Sequence, residues 1–153
     1  MITVQRTKLL FASLVCILSL ACKKDTFTTK PQLTFESVNT TTLRPRSILT
    51  FSIGFTDREG DVEDTLTIRK ITRNCAQSTF TARYRVPSFP AVRNTRGTFE
   101  ISFDYNLGSG LPGLPGPQCP GRNDSSVYQF ILKDKAGNVS DTLVSPEIVQ
   151  TRN

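Results

Sequence analysis

The chain has 153 residues, 37% of them hydrophobic, a formal charge of +6, and neither histidine nor tryptophan. That is enough chain to bury a single core as one domain. Without histidine, serine, cysteine and threonine nucleophiles lack their usual base and zinc lacks its commonest nitrogen ligand, which argues against an enzyme of either kind. The positive residues are scattered as Lys23-Lys24, Arg69-Lys70-Arg73, Arg83-Arg85 and Arg93-Arg96, not gathered into a basic patch with stacking aromatics, so no nucleic-acid partner is expected.

In chain order, the first element is an apolar run from Leu9 to Leu20 behind Arg6 and Lys8. It is too short to span a bilayer and right for the core of an export signal. It closes as Leu18-Ser19-Leu20-Ala21-Cys22, which resembles the bacterial lipoprotein signal, with a small residue ahead of an obligatory cysteine. The resemblance implies a signal peptide over 1–21, cleavage before Cys22, and a lipid such as palmitate on that residue holding the protein to the outer membrane. Cys22-Lys23-Lys24-Asp25 is similar to the lysine-plus-acid pattern of surface export in Bacteroidetes. Asp64-Thr65-Leu66 and Asp141-Thr142-Leu143 resemble the sites at which those bacteria attach O-glycans. Whether the domain faces the periplasm or the cell surface stays open.

From Cys22 to Lys30 the chain is polar and threonine-rich and is closed by Pro31, which reads as a lipidated cysteine followed by a flexible tether. Strand patterning follows over 31–150. Leu33 and Phe35 alternate with polar residues, then Leu49, Phe51, Ile53 and Phe55, then Leu66, Ile68 and Ile71. Phe80, Ala82, Tyr84 and Val86 continue the pattern, followed by Phe99, Ile101, Phe103 and Tyr105, the denser run Val127 to Leu132, and a last stretch from Val139 to Val149. Period-two alternation rich in β-branched and aromatic residues predicts half-buried strands, and no segment of useful length has a helical period.

Seven strand candidates separated by Gly, Pro, Asn and Asp predict an all-β, antiparallel sandwich of immunoglobulin-like type. The sharpest piece is the final hairpin, where Asp134-Lys135-Ala136-Gly137-Asn138-Val139-Ser140 needs positive φ in its turn. This D-x-A-G-N-x-S pattern is similar to the last hairpin of bacterial immunoglobulin-like and fibronectin-type-III-like surface domains. Antibody-type homology is not implied, because the third strand has no tryptophan. The fold places the loops after the second, fourth and sixth strands at one end, near the start of the first strand. The loops after the third and fifth strands share the other.

Three segments carry candidate chemistry. After the second strand, Asp57-Arg58-Glu59-Gly60-Asp61-Val62-Glu63-Asp64 sets carboxylates around a glycine, the oxygen-rich pattern that calcium takes. Asp57, Glu59, Asp61 and, from the final hairpin, Asp134 form the candidate set; the alternative is a solvated polar turn with Arg58 pairing locally. Cys75 and Cys119 remain once Cys16 leaves with the signal and Cys22 takes lipid. In an exported chain two such cysteines form a disulfide or stay as separate thiols, and their shared end of the sandwich favours the bridge. The loop Gly108 to Gly121 is stiffened by prolines, and its Leu111 and Leu114 either contact a partner or fold back as a cap. The function expected from all of this is a non-catalytic envelope module for a protein or glycan partner; the alternatives are a structural envelope component and, third, a carbohydrate-active enzyme using the paired carboxylates of the acidic turn, with calcium the one candidate cofactor.

Overall fold

Apolar residues at every second position line one face of each long strand, and two such faces closing on each other form the molecule. The computed structural model describes residues 26–90 and 92–152; the expected signal peptide over 1–21 and Cys22 lie outside the described residues. Among the described residues the strands are β1 (Gln32–Val38), β2 (Thr42–Leu43), β3 (Ser47–Asp57), β4 (Thr65–Thr72), β5 (Phe80–Arg85), β6 (Thr95–Tyr105), β7 (Asp124–Lys133), β8 (Leu143–Val144) and β9 (Ile148–Gln150). Also among the described residues is a 3-10 turn, Ala76–Ser78, between β4 and β5. One sheet has the order β1-β3-β6, and the other β2-β9-β7-β4-β5 with β8 also on β7.

The expected all-β sandwich is therefore what forms, with a core drawn from both sheets. Leu49, Phe51 and Ile53 of β3 and Phe103 of β6 are wholly buried against Ile68 of β4 and Tyr128, Phe130 and Leu132 of β7. Phe51 ties the sheets together, its ring centroid 4.9 Å from that of Tyr128 and 5.2 Å from that of Phe130. Contacts of this tilted and edge-on kind add to the apolar area removed from water.

Three features depart from the seven-strand expectation. β2 is an additional short strand, and it runs parallel to β9, with Thr42 opposite Val149. The last stretch divides into β8 and β9 around Ser145-Pro146-Glu147, because Pro146 has no N–H to give to a ladder. β5 stays hydrogen-bonded to β4 along Thr65 to Lys70 and forms the edge of that sheet.

The loops divide between two ends as the fold predicts. Asp57 pairs with Thr95 across β3 and β6, and Thr65 with Lys133 across β4 and β7, so the connections after β3, β5 and β7 share one end. Ser47 pairs with Tyr105 and Thr72 with Ser126, which puts Cys75 and the long connection 106–123 at the other. The stretch expected as a flexible tether is bound in its described part, 26–30. Arg58 N donates to Thr28 O at 3.1 Å, Thr56 Oγ1 to Thr26 O at 2.9 Å, and Lys30 Nζ to Asp141 Oδ1 at 2.5 Å. This stem lies at the Asp57 end, hereafter proximal; the cysteine end is distal.

Candidate cation site

At the proximal end, Asp57 is the last residue of β3, and its inward phase in the alternation buries it completely. Its Oδ2 accepts the backbone N–H of Gly60 at 2.6 Å and of Asp61 at 3.3 Å, which folds the loop over the carboxylate. Gly60 makes that reversal with φ of 77°, and a Cβ there would lie 2.2 Å from Val92 O. No other residue meets both conditions. The turn returns Asp61 to the side of Asp57, while Glu59 Oε1 reaches Thr29.

The final hairpin supplies the third acid. Asp134 follows β7 and is wholly buried. It accepts the backbone N–H of Asn138 at 2.7 Å and the Asn138 amide at 2.8 Å, and Gly137 closes the turn with φ of 95°. One oxygen from each of Asp57, Asp61 and Asp134 lies within 4.8 Å of the other two. Asp57 Oδ1 and Asp61 Oδ1 are both buried and receive no hydrogen bond.

Burial pushes the Asp57 carboxyl above the ordinary carboxylate range; the Gly60 and Asp61 amides pull it down, and the charges of Asp61 and Glu59 raise it again. Nearby lysines are engaged with other acids: Lys30 with Asp141 at 2.5 Å, Lys133 with Asp64 at 3.0 Å and Lys135 with Glu63 at 3.8 Å. Hard oxygen ligands on a loop, converging on one point, are the donor set of calcium, which takes oxygens at about 2.3–2.6 Å.

The structure thus gathers three of the four acids expected to meet. Glu59 is a correction: its Oε1 accepts from Thr29 Oγ1 at 3.2 Å, on the stem side of the loop. Cys75 and Cys119 are bonded, with Cα atoms 5.8 Å apart and a separation of 44 positions in sequence. Leu111 is 39% exposed, whereas Leu114 is a correction to the partner-contact alternative: it is 3% exposed and belongs to the core. Asp104 N donates to Pro112 O at 2.9 Å and Leu114 N to Asp104 O at 2.7 Å, fastening the loop to the end of β6 and turning Leu114 inward. Cys22 lies outside the described residues.

One polar group at the distal end escaped the sequence reading. Lys70 Nζ is 3.0 Å from Asp124 Oδ2 and 2.7 Å from Gln150 Oε1, with both charged side chains wholly buried. Ser78 Oγ also donates to Asp124 Oδ2. The signal was present as phase, since Lys70 continues the inward series Leu66, Ile68 and Asp124 the inward series Ser126, Tyr128, Phe130, Leu132.

No family model matches this chain, and no curated protein does. Among solved structures it is similar to the sporulation control protein Spo0M from Bacillus subtilis, at 11% identity and a TM-score of 0.42, over 81% of this chain and 50% of that one. This chain therefore spans about half the length of that protein, and at such a likeness the match bears on nothing further.

Proposed function

We propose that this protein is a non-catalytic cell-envelope module, tethered through lipid on Cys22, that presents the distal end of its sandwich to a protein or glycan partner. The observation that carries the reading is the separation of the two ends. The stem leaves from beside Asp57, and the disulfide-bound connection 106–123 lies at the opposite pole. An anchor at one pole points the other away from the membrane. There the chain exposes Leu107 and Leu111, 48% and 39% accessible, on a loop held by Asp104 through the N–H groups of Leu107 and Ser109. A pre-set loop loses little freedom on binding.

Chemical cross-linking on intact cells tests the reading, comparing the natural chain with Cys22→Ala and with Leu107→Ser/Leu111→Ser. The natural chain incorporates palmitate and gives a defined cross-linked partner. Cys22→Ala loses the label, and the double variant loses the partner while its Tm stays within about 2 °C of the natural value, as expected for exposed positions. Palmitate retained on Cys22→Ala overturns the anchor, and an unchanged cross-link in the double variant overturns the distal surface.

A further inference from the structure

We infer that Asp57, Asp61 and Asp134 together bind one calcium ion, and that this ion fastens the N-terminal stem to the sandwich. The inference is independent of what binds the distal end. Its basis is a set of acids whose buried oxygens lack donors. Two buried carboxylate oxygens, Asp57 Oδ1 and Asp61 Oδ1, have no donor, and a third buried carboxylate stands beside them. Buried acids are normally neutralised by protonation, by a cationic side chain or by a metal. Asp57 Oδ2 is taken up by the amides of Gly60 and Asp61, and both Asp134 oxygens by Asn138, so the carboxylates are held in place around the two oxygens that have no donor.

The ion's class follows from the ligands. All three are carboxylates, hard donors that suit calcium or magnesium and not the softer transition metals. Their mutual separations, up to 4.8 Å, match oxygens disposed around one ion at calcium's bond length of about 2.4 Å. Magnesium demands a tighter octahedron near 2.1 Å and gives up its water reluctantly. Two of the three ligands sit on a loop turned by Gly60, which suits the more permissive geometry of calcium.

What the ion would do follows from the backbone bonds of the same loop. Arg58 N donates to Thr28 O of the stem, Arg58 O accepts Asn94 N of the connection before β6, and Asp61 O accepts Lys135 N of the final hairpin at 2.8 Å. The loop 57–64 is thus the junction of three separate segments, one of which is the stem. Drawing Asp57, Asp61 and Asp134 onto one ion closes the loop against the hairpin and so protects the bond to Thr28. The stem then stiffens only when calcium is present.

Thermal unfolding and amide hydrogen exchange of the full chain in detergent, in calcium chloride or in EDTA, test this. Calcium at about a hundredfold excess over its Kd raises Tm by about 5–10 °C, and exchange of the Arg58 amide slows at least about tenfold. Magnesium chloride gives a smaller shift. Asp61→Asn melts above the natural chain in EDTA, because a repelling charge is gone, and loses the response to calcium. Asp57→Asn behaves likewise and serves if the first variant does not fold. Glu59→Gln keeps the full response. No shift of the natural chain at millimolar calcium overturns the site, as does an undiminished response in Asp61→Asn and Asp57→Asn. A shift in Tm without slowing at Arg58 overturns the fastening of the stem.

Discussion

Asp57 and Asp124 are both wholly buried, each is a terminal residue of a β-strand, and they stand at opposite poles of the sandwich, yet their charges are answered in different ways. Asp124 has the chain's own cation, Lys70 Nζ at 3.0 Å from its Oδ2; Ser78 donates to the same oxygen, Gln150 accepts from Lys70, and Asp124 Oδ1 receives no hydrogen bond. Asp57 has two backbone amides, and its charged neighbours Asp61 and Glu59 are themselves acids. A carboxylate cannot be taken out of water at low cost without a counter-charge. The distal end carries its counter-charge in the sequence; at the proximal end the counter-charge we propose is an ion taken from solution. The distal end has in addition a covalent bond between Cys75 and Cys119 beside it.

The largest effect that would sharpen this contrast comes from removing the internal cation. Lys70→Met leaves the Asp124 carboxylate buried without a counter-charge and costs about 3–5 kcal/mol in denaturant unfolding. Asp57→Asn in EDTA, by contrast, costs nothing or adds stability. Equal losses in the two variants would break the contrast. The next effect is that of the disulfide. Replacing both Cys75 and Cys119 by serine lowers stability by about 2–4 kcal/mol, since the bond closes a long loop, while the calcium response at the other end is unchanged. A variant that lost both would show that the two ends are not independent.

The smallest effect is in pH. The Asp57 carboxyl is raised in the folded chain, principally by burial, so the protonated form is favoured on folding and its contribution is lost as pH rises through the raised value. Asp104 has the opposite sign. The hydroxyl and amide of Ser109 and the amide of Leu107 hold it below the ordinary range, so its contribution is present above that range and lost on acidification. Tm in EDTA, followed from about pH 4 to about pH 7, therefore moves further in favour of Asp57→Asn over the natural chain as pH rises. A constant gap across that range would remove the case for a raised Asp57.

Much of this architecture is legible in the alternation alone. Leu49, Phe51, Ile53 and Phe55 announce β3, and the division of loops between the poles follows from the sandwich, which is how Cys75 and Cys119 come to the same end. The acidic loop is legible as a set of oxygens, but spacing does not say which of them turn inward. The positive φ of Gly60 decides that, sending Glu59 to Thr29 and Asp61 to Asp57. Leu111 and Leu114 look equivalent in a repeating Gly-Leu-Pro loop, and only the bonds between Asp104 and the loop separate the exposed leucine from the buried one. Lys70 and Asp124 keep the phase of core residues, yet a charged residue in a strand reads as solvent-facing because burial depends on a partner 54 positions away. The stem is legible only as polar chain, since its bonds go to backbone groups of Arg58 and side chains far along the sequence.

The measurement that bears most directly on the difference between the two poles is calorimetric titration of calcium chloride into the full chain and into Asp61→Asn. One ion per natural chain, with heat abolished in the variant, is the result predicted. No heat at millimolar calcium, or the same heat in both proteins, would contradict it and leave Asp57, Asp61 and Asp134 as a cluster of acids with no ion to hold.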